Sequence, residues 1–154
     1  MPASTPAKHI RVLLDSNIVI AHEALTPGAD PHGAVADALI HLLRDLGFSI
    51  LVSAGSVADF ASAPPRLRAD RERTLAKHYN VLKPVEVPAH LRDVFPPGEL
   101  SRNDQADLQV LATFATGVAD WLITQDSKLA SRAKKAGVQD VFSAEEALDW
   151  LADL

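Results

Sequence analysis

The sequence predicts an α/β domain with a central, mainly parallel sheet of four to five strands. Short apolar, β-branched runs alternate along it with longer stretches of helical periodicity, the rhythm of strand–helix–strand units. Runs such as IRVLL at 10–14 and WLIT at 121–124 are almost wholly apolar, as buried strands are. The 154 residues, 47% hydrophobic and 23% charged, have the size and composition of one domain with one core. No internal repeat, low-complexity tract or long linker divides the chain, so residues 1–154 read as a single domain with 1–8 as a flexible leader.

The elements follow in order. After the Pro/Ser/Thr leader, strand 10–14 stops at Asp15-Ser16-Asn17, which are turn and N-cap residues, and a helical stretch begins. Thr26 to Gly33, with two prolines and two glycines, reads as a loop. Residues 34–46 space Val35, Leu39, Leu42, Leu43 and Leu46 as one helix face, and Gly47 closes it. FSILVS (48–53) is a second strand, and 55–62 a short helix ended by Pro64-Pro65. A charged helix over 66–79 precedes an extended segment, 81–87, whose proline suits a sheet edge. Pro96, Pro97 and Gly98 break the chain before an amphipathic helix over 103–116 and the strand WLIT. Asp126 opens a helix over 127–136 that Gly137 ends; Val141-Phe142 is a short fourth strand, and 144–153 the terminal helix.

Composition removes several classes of function. Cysteine is absent, which excludes a disulfide scaffold, a thiol nucleophile and a thiolate zinc site. No apolar stretch approaches the roughly 20 residues of a membrane span, and MPASTPAKHI lacks the apolar region of a secretory signal. The expectation is a cytoplasmic protein with no membrane partner. Net charge is −5, yet Arg66, Arg68, Arg71, Arg73, Lys77 and Lys83 gather in one stretch, and Lys128, Arg132, Lys134 and Lys135 in another. Basic arms around an acidic centre are the pattern to test.

In an open parallel sheet, ligands bind at the carboxyl ends of the strands. Strand one ends in Asp15; strand two ends in Ser53, and the helix after it carries Asp59; strand three ends in Thr124, with Asp126 two residues on. The helix leading into strand three carries Asp104 and Asp107, an i, i+3 pair. Each has a plain alternative: Asp15 and Asp126 as helix caps, Asp59 as a solvated side chain, Asp104 and Asp107 as first-turn acids favoured by the helix dipole. Together they bring carboxylates from three strand-linked regions to one sheet edge. Such crowding is costly without a cation, so Asp15→Asn is expected to stabilise the metal-free protein. Oxygen donors without Cys or paired His favour Mg²⁺ or Mn²⁺ over zinc, the chemistry of phosphodiester hydrolysis.

On these residues the chain resembles a PIN-domain nuclease along nearly its whole length. LLDSNIVIA (13–21) resembles the family's first motif, an aspartate at the end of strand one followed by a small hydroxyl residue and Asn. SAGSVADF (53–60) resembles the second, although the family usually has Glu where this chain has Asp59. DQADLQVLATFATGVADWLITQDSKLAS (104–131) is the most specific match, and VFSAEEALDWL resembles the closing strand and helix. The resemblance implies a three-layer α/β/α domain with Asp15, Asp59, Asp107 and Asp126 as its catalytic acids. Asp15, Asp107 and Asp126 would hold Mg²⁺ or Mn²⁺, supported by Ser16, Asn17, Asp104 and Thr124. It further implies endonucleolytic cleavage of RNA, leaving a 5′-phosphate and a 3′-hydroxyl. Small bacterial members are often toxins of toxin–antitoxin pairs, which would add an antitoxin protein as partner, and a homodimer is expected on the same resemblance.

The remaining residues are read beside that. The six histidines show no metal-ligand spacing and read as surface or packing residues, and Glu23 lies two helical turns beyond Asp15. Trp121 and Trp150 read as core, Tyr79 and Phe60 as base-stacking candidates. The acidic centre turns Arg66, Arg68, Arg71, Arg73, Lys77 and Lys128 into candidates for the RNA backbone. A phosphotransfer receiver fails because LLDSN has one acid and ILVS ends in Ser; an aspartyl phosphatase fails because Asn17 cannot act as general acid. A catalytically inactive interaction module on the same fold, or an RNA-processing nuclease that is not a toxin, are the alternatives.

Overall fold

A computed structural model describes residues 9–23, 30–60 and 65–153, without the side chains of 58–60 and 65–67. The leader 1–8 and residues 26–29 of the expected loop at 26–33 lie outside the described residues. Among the described residues five strands form one sheet: β1 (Arg11–Leu14), β2 (Ser49–Val52), β3 (Asn80–Val81), β4 (Trp121–Ile123) and β5 (Val141–Phe142). Their order is β3-β2-β1-β4-β5 and every pairing is parallel. β1 lies at the centre, with Leu13 opposite Leu51 on one side and Leu122 on the other.

Parallel neighbours require crossovers, and helices supply them on both faces. The helices are α1 (Ser16–His22), α2 (Gly33–Asp45), α3 (Ala54–Phe60), α4 (Pro65–His78), α5 (Ala89–Arg92), α6 (Arg102–Ala115), α7 (Ser127–Lys135) and α8 (Ala144–Ala152). Strand side chains alternate between the faces. Val12 and Leu14 pack with Ile18, Leu39, Leu43, Leu75 and Leu151, from α1, α2, α4 and α8. Leu13 packs with Leu91, Leu108, Leu111 and Leu129, from α5, α6 and α7. This is a three-layer α/β/α domain, as expected. Among the described residues no helix is long and apolar enough to cross a membrane.

Local chemistry sets the helix boundaries. Ser143 and Glu146 form a reciprocal capping box at α8, and Ser101 caps α6 by accepting from the Asp104 amide. Gly137 closes α7 at φ 75°, a conformation that costs other residues a Cβ clash.

Three expectations need correction. The segment 81–87 contributes only Val81 to β3, because Pro84 has no amide and both backbone groups of Val85 bond the Gln109 side chain instead (2.7 and 3.2 Å). Trp150 is 43% exposed; its ring meets Trp121 edge-on at 4.7 Å and covers that residue. Tyr79 is no stacking platform, being only 5% exposed with its hydroxyl donating to Glu23 (3.1 Å). Phe60's side chain lies outside the described residues. α5 was not anticipated; it follows Pro88 and buries Leu91 completely.

Candidate active site

The chain leaves β1 toward β2 on one side, while β4 and β5 lie on the other, so the sheet's topological switch falls between β1 and β4. At such a point the connections diverge and leave a crevice beyond the strand ends. Asp15 stands there, 3% exposed. Its backbone is extended (φ −72°, ψ 158°), which ends the strand and opens α1. One carboxylate oxygen accepts from the Ser16 amide (2.8 Å) and the other from the Thr124 hydroxyl (2.7 Å), while its own amide donates to Ile123 (3.0 Å). The cap reading is therefore correct, and the capping side chain is also the one buried in the crevice.

Thr124 binds both sides of the switch. Its hydroxyl oxygen accepts from the Asp126 amide (3.0 Å) and, more weakly, from the Asn17 side-chain amide (3.4 Å). Asn17 in turn accepts from the Gln125 amide (3.2 Å). Gln125 had no assigned role, yet its side chain accepts from the Ala144 amide (2.9 Å) and donates to both Glu145 oxygens (3.1 and 3.0 Å). Glu145 is held below the usual carboxylate range, first by its own backbone amide and then by Gln125. The crevice is thus tied from β1 through β4 to the start of α8.

Two more acids come from helices. α6 returns the chain to the start of β4, so its first turns, with Asp104 and half-buried Asp107, lie at the same edge as Asp15. α3 begins directly after β2, where the Ser53 side chain accepts from the Ser56 amide (3.2 Å) and caps the helix. A Cβ on Gly55 would stand 2.5 Å from the Ala106 carbonyl oxygen, so only glycine permits this approach of α3 to α6. The contact sets the residue before Asp107 against the turn before Asp59. The side chain of Asp59 lies outside the described residues.

Asp126 is half-buried and caps α7, one oxygen accepting from Lys128 and Leu129 amides (2.9 and 3.3 Å). Asp104 is engaged by Arg132 (2.7 Å) in a mostly buried pair, which holds its carboxyl below the usual range. The same guanidinium covers the Phe95 ring at 4.3 Å. Asp104 therefore braces α6 against α7.

The donors at this edge are carboxylate and hydroxyl oxygens in a chain without cysteine, a set that suits a hard divalent cation. Among the described residues, no three His, Asp or Glu side chains converge as a metal-holding group. Of the basic candidates, Arg68 and half-buried Arg71 lie in the first half of α4 and Arg73 just past its middle, where it pairs with Asp70. Arg66's side chain lies outside the described residues. Lys77 is at the other end of α4 beside Phe48 and Ser49, at the amino end of β2 and remote from the carboxyl ends of the strands, and Lys128 is in the first turn of α7. Of the histidines, His22 bonds Asp37 (2.6 Å) and His9 bonds Ser49.

A family model described as a PIN domain matches residues 11–128, which spans β1 to the first turn of α7 and includes all four candidate acids. Comparison with curated proteins finds no match.

Proposed function

The chain belongs to the PIN-domain family, and from that premise we propose that it is a metal-dependent endoribonuclease. The observation behind this reading is the carboxylate of Asp15, buried at the β1–β4 switch and oriented by Thr124 and Ser16. Asp15 and Asp107 would hold Mg²⁺ or Mn²⁺, with Asp126 completing the set, and Asp59 or Asp126 would orient the attacking water. Such a cation, when bound, would polarise a phosphate oxygen and offset developing charge. Thr124 keeps the Asp15 carboxylate turned into the crevice, and Asn17 fixes the turn after β4 through the Gln125 amide. Arg66, Arg68, Arg71 and Arg73 hold the RNA backbone. The products carry a 5′-phosphate and a 3′-hydroxyl. The protein acts in the cytoplasm as a homodimer and is the toxin of a toxin–antitoxin pair.

Purified protein cleaves single-stranded RNA with Mn²⁺ or Mg²⁺, and EDTA stops it. Asp107→Asn abolishes cleavage with an unchanged circular dichroism spectrum. Near-wild-type turnover by that variant rejects the site, and absence of cleavage by the wild type favours an inactive module on the same fold.

A further inference from the structure

A groove of about 600 Å³ opens beside the crevice, between the chain after α5 and one face of α7. Val94, Phe95 and Pro96 form one wall; Ser127, Lys128, Ser131, Arg132 and Lys135 form the other. Residues 127, 131 and 135 repeat at helical spacing, so the polar wall is a continuous stripe about 12 Å long. It begins at Ser127, next to the Asp126 cap, and leads away from the strand ends.

We propose that this groove holds the sugar–phosphate backbone of the RNA strand on one side of the scissile bond, a proposal that rests on the ribonuclease reading. Lys128 and Lys135 are exposed, and Ser127 and Ser131 add hydroxyl donors along the same wall. That is the donor set phosphates take from a protein. The stripe spans about three nucleotides at roughly 3.4 Å each along a stacked strand. The opposite wall argues against reading bases. Phe95 is buried and its ring is already covered by Arg132, whose guanidinium is committed to Asp104. The groove therefore binds backbone without sequence preference.

The test is fluorescence anisotropy with oligo(U) and oligo(A) in EDTA, across a salt series. Each phosphate contact contributes about 0.7 to the slope of log affinity against log salt for a single strand. Lys128→Gln/Lys135→Gln flattens the slope by about 1.4 for both oligonucleotides. Lys134→Gln removes one positive charge from the same helix outside the groove and leaves the slope unchanged. A wild-type slope in the double variant overturns the groove and leaves the ribonuclease reading standing, with the groove then open to an acidic protein segment instead. Flattening of about 0.7 by Lys134→Gln also overturns it, as an effect of net charge alone. If the wild type binds neither oligonucleotide, groove and ribonuclease reading fall together. If the double variant flattens the slope while Asp107→Asn still cleaves, the groove stands and the assigned acids do not.

Discussion

At Asp15 each carboxylate oxygen already receives a protein donor, Ser16 N–H on one and the Thr124 hydroxyl on the other. Repulsion among crowded acids predicts that Asp15→Asn stabilises the metal-free protein; these bonds reverse the sign. The asparagine amide would turn an NH₂ toward Ser16 or Thr124, and the Thr124 oxygen already accepts from Asp126. Asp15→Asn is expected to lose about 1–3 kcal/mol in urea titration. Mn²⁺ raises the melting temperature of the wild type by binding the folded state, and this variant loses that rise. An equal rise in both proteins leaves Asp15 only its helix cap. Thr124→Val keeps the shape but removes the hydroxyl, so it costs a similar amount and lowers cleavage, with Thr124→Ser restoring most of both. Asp15 and Thr124 were legible because strand ends mark the edge where ligands bind. The part played by Gln125 was not, since an amide between two polar residues has no spacing of its own and its partners lie 19 and 20 residues on.

Helix packing around the crevice depends on two contacts that periodicity does not reveal. The approach of α3 to α6 needs Gly55, where any Cβ meets backbone at 2.5 Å and cannot be relieved by a rotamer change. Gly55→Ala forces the helices apart, at a cost of about 1–3 kcal/mol. Because α6 carries Asp107, cleavage falls further than stability does under conditions where the variant remains folded. Wild-type activity in a folded Gly55→Ala protein would separate the packing from the site. The second contact joins α6 to α7 through Asp104 and Arg132, both mostly buried. Removing one partner strands the other, so Arg132→Met costs about 3 kcal/mol, while Asp104→Asn/Arg132→Met costs less than the single change. The strands and long helices were readable from apolar runs, caps and Gly47 or Gly137. The shortness of β3 was not, because it depends on Gln109 reaching across from α6 to Val85.

Over the whole molecule, three titratable groups with shifted equilibria make stability depend on pH at both ends of the range. Asp104 is held below its ordinary 3.8, first by Arg132, and Glu145 below 4.5, first by its own amide. In that acid window the unfolded chain binds more protons, so stability rises with pH, and the contribution is lost as pH falls through the lowered folded values. Tyr79 behaves oppositely: burial first, then Glu23, raises its phenol above the ordinary 10.0. Above pH 10 the unfolded chain loses that proton while the folded protein keeps it, so stability falls as pH rises. Its contribution is complete below pH 10. The two groups lie apart, Tyr79 with α1 and α2 on one face of the sheet and Asp104 between α6 and α7 on the other. Their effects are therefore expected to be additive. Urea titrations from pH 3 to 11 test this: Tyr79→Phe flattens the alkaline arm and leaves the acid arm, whereas Asp104→Asn leaves the alkaline arm and removes only its own share of the acid arm, Glu145 keeping the rest. If Tyr79→Phe leaves the alkaline arm unchanged, the phenol buried against Glu23 is not what limits the fold at high pH.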